Sequence, residues 1–402
     1  MNAVGIDVSK GKSMVAVMRP FGEVVFSPFE VSHTDKDLID LAKKLKALPG
    51  ETRVVMEHTG YYHAPVAVAL HEAGIYVSAV NAMLVHDYGN NSLRRAKTDR
   101  KDAVKLANYA LDHWISLPQY LPAEDTRLML KTCNRQYEQF SKIRTMQKNN
   151  LISLLDITFP DANKLFSSSP KADGREKWVD FVAQYWHCEC VRGMTVKAFT
   201  RSYEKWCHKH DYNFSEEKAF DIYTSACGHI CIMPKCESTR LMIQQAVAQL
   251  QASSAALAAM KKQMQNLASL LPEYPVVMKM YGVGSALGPQ LMAEIGDVRR
   301  FHSKSALVAF AGIDAPPYQS GQIDVRSRSI SKRGSAKLRR TLFLVMSIIL
   351  QNSPDGDPIY QYLDKKRAEG KPYKVYMMAS ANKFLRRYYA SVKAYLDELD
   401  YS

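Results

Sequence analysis

The first 114 or so residues alternate short β-type runs with amphipathic helical runs. Apolar or alternating stretches rich in β-branched residues predict three strands close together in sequence, at 3–8, 13–18 and 23–31. The hydrophobic spacing then predicts, in order, helix, strand, helix, strand and helix at 35–48, 53–57, 62–73, 75–80 and 99–113. Gly74 suits the end of the second of these helices. The pattern therefore predicts an α/β domain over residues 1–115.

The order of these elements narrows the fold class. Three strands followed by helix, strand, helix, strand and helix is the order expected of an RNase H/RuvC-like domain. In such a sheet the first and fourth strands are neighbours. Residues near the ends of those two strands, 3–8 and 53–57, are therefore expected to lie side by side.

Residues 116–273 are predicted to be mainly helical. Two long polar helices, at about 123–157 and 237–271, carry scattered Leu, Ile and Met among Lys, Arg and Gln. They are expected to form an antiparallel hairpin, either as a dimerising coiled coil or as a plain intramolecular pair.

The segment between the two long helices, 160–236, is rich in cysteine and histidine. It holds six of the seven cysteines, and four histidines lie among them, at 187, 208, 210 and 229. A zinc site needs four such ligands in tetrahedral arrangement, but paired CxxC motifs are missing from this sequence. Buried free cysteines beside aromatic side chains are the favoured interpretation, and structural zinc is the alternative.

Residues 274–402 form a third predicted domain, mostly α-helical. The sequence GVGSALGPQL predicts helix, glycine turn and helix, and resembles a helix-hairpin-helix turn. Gly282 and Gly284 would let backbone N–H groups approach a phosphate at the start of the second helix, although a packing turn has the same sequence pattern. Two further helices are expected at about 333–352 and 373–398.

The charge balance indicates the kind of partner. Lys and Arg number 54 against 40 acidic residues, a formal net charge of +14. Such an excess favours polyanions, because each neutralised phosphate releases condensed counterions. No apolar run approaches the roughly 18–20 residues of a membrane span, and the N-terminus does not resemble a signal peptide. A cytoplasmic location with reduced cysteines is expected.

Four carboxylates lie at strand ends or at the start of a helix in these elements. Asp7 ends the first predicted strand in GIDVSK, Glu57 ends the fourth in VVMEHTG, and Asp99 and Asp102 begin a helix in KTDRKDA. A spacing of three puts the last two on one helical face. Clustered carboxylates repel unless a cation offsets them, and Mg²⁺ or Mn²⁺ takes such oxygen ligands. Each acid alone has an ordinary explanation, and Asp99 could simply cap its helix.

Cations cluster in two regions. Beside the acids lie Lys10, Lys12 and a run of five cations that would hold flanking phosphates or form a solvated loop: Arg94, Arg95, Lys97, Arg100 and Lys101. The stretch 325–340 carries seven cations and no acid, which suits phosphate contact: Arg326, Arg328, Lys332, Arg333, Lys337, Arg339 and Arg340.

Ser320, in YQSGQ, lies just before that basic stretch. A serine in a basic, glycine-flanked loop could attack a phosphorus atom and hold DNA covalently, provided that a base or a metal activates it. A phosphate-contacting or turn hydroxyl is the plainer interpretation of the composition.

Together these motifs resemble the DEDD-type transposases of bacterial insertion sequences, the family that also contains the Piv-type DNA invertases. GIDVSK, VVMEHTG and KTDRKDA resemble its RuvC-like domain. YGVGSALGPQLMAEIGD, FHSKSALVAFAGI, YQSGQ and SISKRGSAKLRR resemble its C-terminal transposase domain. The resemblance covers roughly 1–160 and 275–390. The Cys/His-rich segment and the single serine of YQSGQ, where many relatives have two, depart from the family pattern.

The resemblance implies a function and a set of roles. It makes Asp7, Glu57, Asp99 and Asp102 metal ligands and Ser320 the nucleophile that forms a transient phosphoserine link. It implies a catalytic site assembled from both domains, a dimer or tetramer on donor and target DNA, and a structured guide RNA from the same element.

Two other functions are compatible with the same residues. A RuvC-like junction resolvase or nuclease would use metal-activated water in place of serine and would form no covalent intermediate. A non-catalytic nucleic-acid-binding protein would show steep salt dependence without metal-dependent cleavage.

Overall fold

A computed structural model of the chain describes residues 1–58, 62–88, 98–120, 125–315, 319–320, 323–324 and 329–401. The chain divides into two compact units, Met1–Ala123 and Glu124–Ser402. The finer domain boundaries expected near 115 and 273 stay predictions. Across the described ranges, none of the helices combines the length and the apolar character that crossing a bilayer requires.

The N-terminal unit is a mixed five-stranded sheet with helices on its faces. Its elements are β1 Asn2–Ser9, β2 Lys12–Arg19, β3 Glu23–Ser32, α1 Asp35–Lys46, β4 Thr52–Glu57, α2 Ala64–Glu72, β5 Tyr76–Val80, α3 Ala82–Tyr88 and α4 Asp99–Asp112. The strand order is β3-β2-β1-β4-β5. β1 and β4 pair in parallel, which confirms the expected neighbourhood of the first and fourth strands. Helix α3 was not predicted.

Local signals explain where these elements begin and end. The Thr34 side chain accepts a hydrogen bond from the backbone N–H of Asp37 at the start of α1. Gly74 takes a φ of +75° just after α2, a conformation that favours glycine. The chain then returns directly into β5, as the sequence pattern predicts.

The alternation of side chains along the strands divides the sheet into two faces. Val4, Ile6 and Met56 lie in a core with α1 and α2, and Ala3 and Val55 lie in a second core with α4. Both faces of the central strands are therefore covered. The first helix pair and α4 are held to opposite sides of the sheet.

The C-terminal unit is mostly helical. Its elements are α5 Asp125–Leu155, α6 Lys177–Gln184, α7 Glu189–Arg192, α8 Val196–Lys209, α9 Glu216–Gly228, α10 Glu237–Ser269, α11 Tyr274–Met278, α12 Leu287–Ile295, α13 Lys304–Ala311, β6 Gln319–Ser320, β7 Ile323–Asp324, α14 Ala336–Asn352, α15 Pro358–Ala368 and α16 Tyr373–Tyr401. Helices α13 and α15 and the four helices between α5 and α10 were not predicted individually.

Helices α5 and α10 form an intramolecular antiparallel pair, as one of the two alternatives expected. Leu130, early in α5, shares a core with Met264, late in α10. Leu151, late in α5, shares another with Ile243, early in α10. Between these two contacts, Arg144 Nε donates a hydrogen bond to Ser254 Oγ over 3.0 Å. A dimerising coiled coil stays a prediction.

The Cys/His-rich segment folds around an aromatic core. Cys188 and Cys207 are fully buried in the same core as Phe181, Tyr203 and Trp206. Burial raises the pKa of the Cys207 thiol. All seven cysteines of the chain are free thiols. The interpretation of buried cysteines beside aromatic side chains is therefore confirmed for Cys188 and Cys207, whereas Cys227 and Cys236 are exposed.

Candidate functional site

Helix α4 lies against strand β1 with no side chain between the two backbones. A Cβ added to Gly5 would lie 2.0 Å from the carbonyl oxygen of Ala103 and 2.3 Å from the amide nitrogen of Ala107. Only glycine permits this contact. It fixes residues 103–107 of α4 over Gly5, in the middle of β1.

Asp7 lies on the same face of the sheet as this contact. Side chains two residues apart in a strand share a face, so Asp7 follows Gly5 on the side that α4 covers. Val55 pairs with Gly5 in register, and Glu57 follows Val55 in the same way. Since Ile6 pairs with Met56, the next step along both strands brings Asp7 beside Glu57. The two carboxylates therefore lie on the same face and at the same edge of the sheet, the one formed by the carboxyl ends of β1 and β4.

The first turn of α4 carries the other two predicted acids. Thr98 is the N-cap, and its side chain accepts from the backbone N–H of Lys101. Asp99 is therefore the first helical residue and not the cap, and Asp102 immediately precedes Ala103, the residue that contacts Gly5. The turn with both acids thus lies at the end of β1 that bears Asp7.

An electrostatic effect supports the position of Asp99. The pKa of the Lys12 ammonium is raised above its ordinary value, chiefly by a hydrogen bond and ion pair with Glu30, and to a smaller extent by the charge of Asp99. Lys12 begins β2 and pairs with Ser9 at the end of β1. The start of α4 therefore lies within electrostatic range of the β1–β2 turn.

The donor chemistry of this edge suits a hard divalent cation, since all four predicted ligands are carboxylates. Asp7, Glu57 and Asp102 are half-buried, and Asp99 is exposed. In the parts of the chain that the structure covers, however, no three or more His, Cys, Asp or Glu side chains are grouped closely enough to hold a metal ion. The backbone brings the acids to one edge, but their side chains do not form a finished coordination shell.

Two histidines beside Glu57 were missed by the sequence reasoning. The ring of His58 lies 4.3 Å from that of His63, centroid to centroid. His63 is 5% exposed and meets the Tyr120 ring edge-on. The signal was present in the sequence, because His58 directly follows Glu57 and His63 comes five positions later.

The cations predicted beside the acids have different surroundings. Arg100 and Lys101 are exposed on the first turn of α4, and Lys10 is exposed at the end of the β1 hairpin. Lys12 forms an ion pair with Glu30, with 2.7 Å between Nζ and Oε2. The remaining three predicted cations lie outside the described residues: Arg94, Arg95 and Lys97.

Ser320 lies in the C-terminal unit, in the short antiparallel pair of β6 and β7. It pairs with Ile323, and Gln319 pairs with Asp324. Two of the predicted cations that follow it, Arg326 and Arg328, lie outside the described residues.

The remaining predicted cations of the basic stretch divide into two groups. Lys337 forms an ion pair with Glu138, and Arg339 donates a hydrogen bond to the carbonyl oxygen of Ala311 over 2.9 Å. Both side chains therefore make contacts inside the C-terminal unit. The other three are exposed: Lys332, Arg333 and Arg340.

The two glycines of the turn between α11 and α12 have different surroundings. Gly282 has a φ of +76°, and an added Cβ would lie 2.7 Å from Ile349 Cγ1 of α14. Its lack of a side chain is therefore explained by packing. A Cβ added to Gly284 would meet nothing within 4 Å. Of the two, only Gly284 leaves room for a phosphate beside the start of α12.

Known protein families match two parts of the chain. A profile described as "Transposase" matches residues 4–160, and one described as "Transposase IS116/IS110/IS902 family" matches residues 274–361. The first covers β1 to α5 with all four acids, and the second covers α11 to the first turn of α15 with Ser320.

Individual relatives are similar over most of their length. The pilin gene-inverting protein of Moraxella bovis is 23% identical over 341 residues, which cover 85% of this chain and 80% of that protein. The pilin gene-inverting protein of Moraxella lacunata matches to the same extent. An uncharacterized 44.8 kDa protein of insertion element IS116 from Streptomyces clavuligerus is 23% identical over 369 residues, which cover 91% of this chain and 88% of that protein.

Proposed function

This chain belongs to the IS116/IS110/IS902 family of transposases and is a DNA recombinase, and we propose that it cuts and rejoins DNA with a carboxylate-bound metal and a serine nucleophile. The metal ligands are Asp7, Glu57, Asp99 and Asp102, and the nucleophile is Ser320. The N-terminal unit has an RNase H/RuvC-like fold in this proposal.

One observation carries the proposal above all others. Asp7 and Glu57 follow a register pair on neighbouring parallel strands, and the Gly5–Ala103 contact lays the first turn of α4 on the same face. Acids from three separate elements thus share one edge. Clustered carboxylates repel one another and repel phosphate, so a bound cation would stabilise this edge.

The metal that suits this edge is Mg²⁺ or Mn²⁺. When bound, such an ion supplies positive charge that stabilises the oxygens of a phosphodiester during displacement. The exposed Arg100 and Lys101, on the same helical turn, would bind the phosphates on either side. The protein's own residues therefore orient the strand and neutralise its charge.

Ser320 provides the covalent step. Its hydroxyl oxygen forms a bond to phosphorus, and the bond from phosphorus to the 3′-oxygen of the DNA breaks. The departing 3′-oxygen takes up a proton, and the 5′ end remains on the enzyme as a phosphoserine. A 3′-hydroxyl of another strand then attacks that phosphorus and releases the serine. One phosphodiester is exchanged for another, so the reaction needs no external energy source.

Partners follow from the same proposal. Donor and target DNA are the substrates, and a structured RNA from the same element guides their choice. The formal net charge of +14 supports polyanionic partners of both kinds. A homo-oligomer, as a dimer or tetramer, would hold two DNA segments together, and the cytoplasm is the expected location.

The nucleophile is tested with a labelled DNA substrate whose strand is interrupted next to the cleavage site. The unmodified protein should leave a DNA adduct on denaturing gels, and Ser320→Ala should abolish both the adduct and strand transfer. Ser327→Ala, which removes a hydroxyl from the same stretch, should keep both. Cleaved DNA without any adduct would instead support the nuclease alternative with metal-activated water.

The metal is tested without relying on activity. Mg²⁺ or Mn²⁺ should raise the melting temperature of the purified chain, because the ion offsets repulsion among the acids. Asp7→Asn should lose most of that rise, whereas Asp40→Asn, at an exposed acid of the same unit, should keep it. An equal rise in both variants would place the ion elsewhere.

A further inference from the structure

A large cavity lies within the C-terminal unit, among helices α13, α14, α15 and α16. Its volume is about 1220 Å³, above the roughly 300–1,000 Å³ of ordinary small-molecule sites. The inner part of its lining is apolar and includes Val308, Ile313, Phe343 and Met378. An open site of this size suits a chain-like ligand with apolar groups.

The rim of this cavity is strongly cationic. Five cations line it: Lys332, Arg340, Lys374, Lys383 and Arg386. Asp314 is the one acid that the described lining contains, and its Oδ1 accepts a hydrogen bond from the Ser331 hydroxyl. The cavity therefore combines an apolar interior with an excess of four positive charges.

Two of the five cations of the rim are held by neutral groups. Arg386 Nε donates to Asn382 Oδ1 over 2.7 Å, and Lys383 Nζ donates to the carbonyl oxygen of Pro358 over 3.0 Å. Across the described residues, no carboxylate lies within 4.0 Å of any of the five as an ion-pair partner. No carboxylate among the described residues therefore neutralises the charge of these five side chains.

Helix α16 arranges part of this charge along a line. Lys374, Met378, Asn382 and Arg386 recur every fourth residue, so they lie on one helical face. The twelve-residue separation between the end members corresponds to about 18 Å along the helix axis. A ligand with negative charges spaced along its length matches this row of side chains on α16 better than a compact anion does.

Two aromatic rings contribute to the lining. Phe343 and Tyr362 are both half-buried. Lys383 Nζ lies 4.7 Å from the centroid of the Tyr362 ring, which places a cation directly beside an aromatic face. Unpaired bases stack on such rings while nearby cations hold the backbone phosphates.

The cavity also adjoins the segment that bears the proposed nucleophile. Asp314 and Ala315 line it on one side of that segment, and Ser329 and Ile330 line it on the other. Ser320 comes only five positions after Ala315, so their Cα atoms lie at most about 18 Å apart. The lining of the cavity and the serine are therefore close to each other in the sequence.

We propose that this cavity binds a short run of unpaired nucleotides of the DNA strand whose phosphate Ser320 attacks. The proposal rests on the recombinase function described above. Duplex DNA keeps its base faces stacked and would leave the apolar interior unused, whereas a single strand offers both bases and phosphates. The volume has room for more than one nucleotide. Because the cavity adjoins the segment that bears the serine, whose substrate is DNA, the occupant is DNA and not the guide RNA.

Binding of a fluorescein-labelled oligothymidylate of about eight nucleotides to the full-length chain tests this assignment by anisotropy. The variant K374Q/K383Q/R386Q should weaken binding at least about tenfold and reduce the salt dependence of the affinity by two or three phosphate equivalents. The matched control K365Q/R367Q/K371Q removes three exposed cations outside the cavity. It should weaken binding less than about threefold.

The base contribution is tested from both sides. An abasic strand of the same length should bind at least about fivefold more weakly than the oligothymidylate, and Phe343→Leu should remove most of that difference. A duplex of the same length should show little change between Phe343→Leu and the unmodified protein. Thermal melting of each variant shows whether the fold is intact.

Three results would overturn the assignment. Equal weakening by the two triple variants would indicate bulk charge only. Equal binding of abasic and thymidylate strands would exclude base contacts. A cavity-dependent affinity for single-stranded RNA more than about tenfold above that for DNA would make RNA the occupant. Because binding is measured without strand transfer, failure of the serine mechanism leaves this result readable.

Discussion

The carbonyl oxygen of Ala103 lies 2.0 Å from the position that a Cβ of Gly5 would take. Two backbones therefore touch where one carries Asp7 two residues later and the other carries Asp102 one residue earlier. This single contact sets the position of a helix end relative to a strand end. It makes the geometry of the proposed metal edge depend on a residue that bears no functional group.

Gly5→Ala tests that dependence. The added methyl group would push α4 away from β1, and overpacking of this kind costs about 1–3 kcal/mol or more. We expect a corresponding loss in urea denaturation, together with loss of the metal-induced rise in melting temperature. Gly228→Ala is the control, because a Cβ there meets nothing within 4 Å. Its stability should change by less than about 0.5 kcal/mol.

Glu294 is a buried carboxylate of the C-terminal unit with several hydrogen-bond partners. Its carboxylate accepts from Asn134 over 2.8 Å, from Arg135 Nη2 over 3.1 Å and from the Ser335 hydroxyl over 3.2 Å. Glu294→Gln breaks the pair with Arg135, and loss of one partner of a buried ion pair costs about 3–5 kcal/mol. Chemical denaturation should show a loss of this order.

A surface pair provides the contrast to Glu294. Glu369 forms an ion pair with Lys366 over 2.7 Å at the end of α15. Because exposed ion pairs contribute about 0–1 kcal/mol, Glu369→Gln should leave the free energy of unfolding nearly unchanged. Similar losses in the two variants would show that Glu294 has no special structural role.

The two glycines of the α11–α12 turn should respond differently to alanine. Gly282→Ala forces a side chain into a φ of +76° and against Ile349, so it should destabilise the chain by about 1–3 kcal/mol. Gly284→Ala should fold normally, since a Cβ there has open space. If the start of α12 binds phosphate, Gly284→Ala should weaken duplex DNA binding measured by anisotropy. Unchanged binding would reduce this turn to a packing element.

His33 makes the stability of the N-terminal unit sensitive to acid. Its Nε2 lies 2.8 Å from Ser13 Oγ, and burial lowers the pKa of its imidazole. An unfolded imidazole has a pKa of about 6.5, so the unfolded chain binds more protons below that pH than the folded chain does. Stability contributed by neutral His33 is therefore present above about pH 6.5 and is lost as pH falls toward the lowered folded pKa.

The measurement compares urea midpoints near pH 7.5 and pH 5.5. His33→Gln keeps a polar side chain that does not titrate, so its midpoint should fall less between the two pH values than that of the unmodified protein. NMR titration of the His33 ring should give a pKa below its ordinary value. A ring that titrates at or above 6.5 would contradict the prediction.

The sequence was sufficient for most of the N-terminal sheet. Strands such as β1 and β4 and helix α4 were predicted within a residue or two, because period-two and helical spacing are local properties of the chain. The neighbourhood of β1 and β4 followed from the order of elements. Helices α3, α13 and α15 were missed because each depends on packing against another helix, α3 on α4 and both α13 and α15 on α16.

For the candidate functional residues too, some properties followed from the sequence and others only from the tertiary structure. The sequence by itself determined which carboxylates end strands or begin a helix, since alternation and capping are set by neighbouring residues. Only the tertiary structure decided that Gly5 must be glycine and that Lys337 and Arg339 serve internal contacts. It also decided that α16 places its cations on a cavity. These outcomes depend on packing between segments far apart in sequence, and packing has no local pattern.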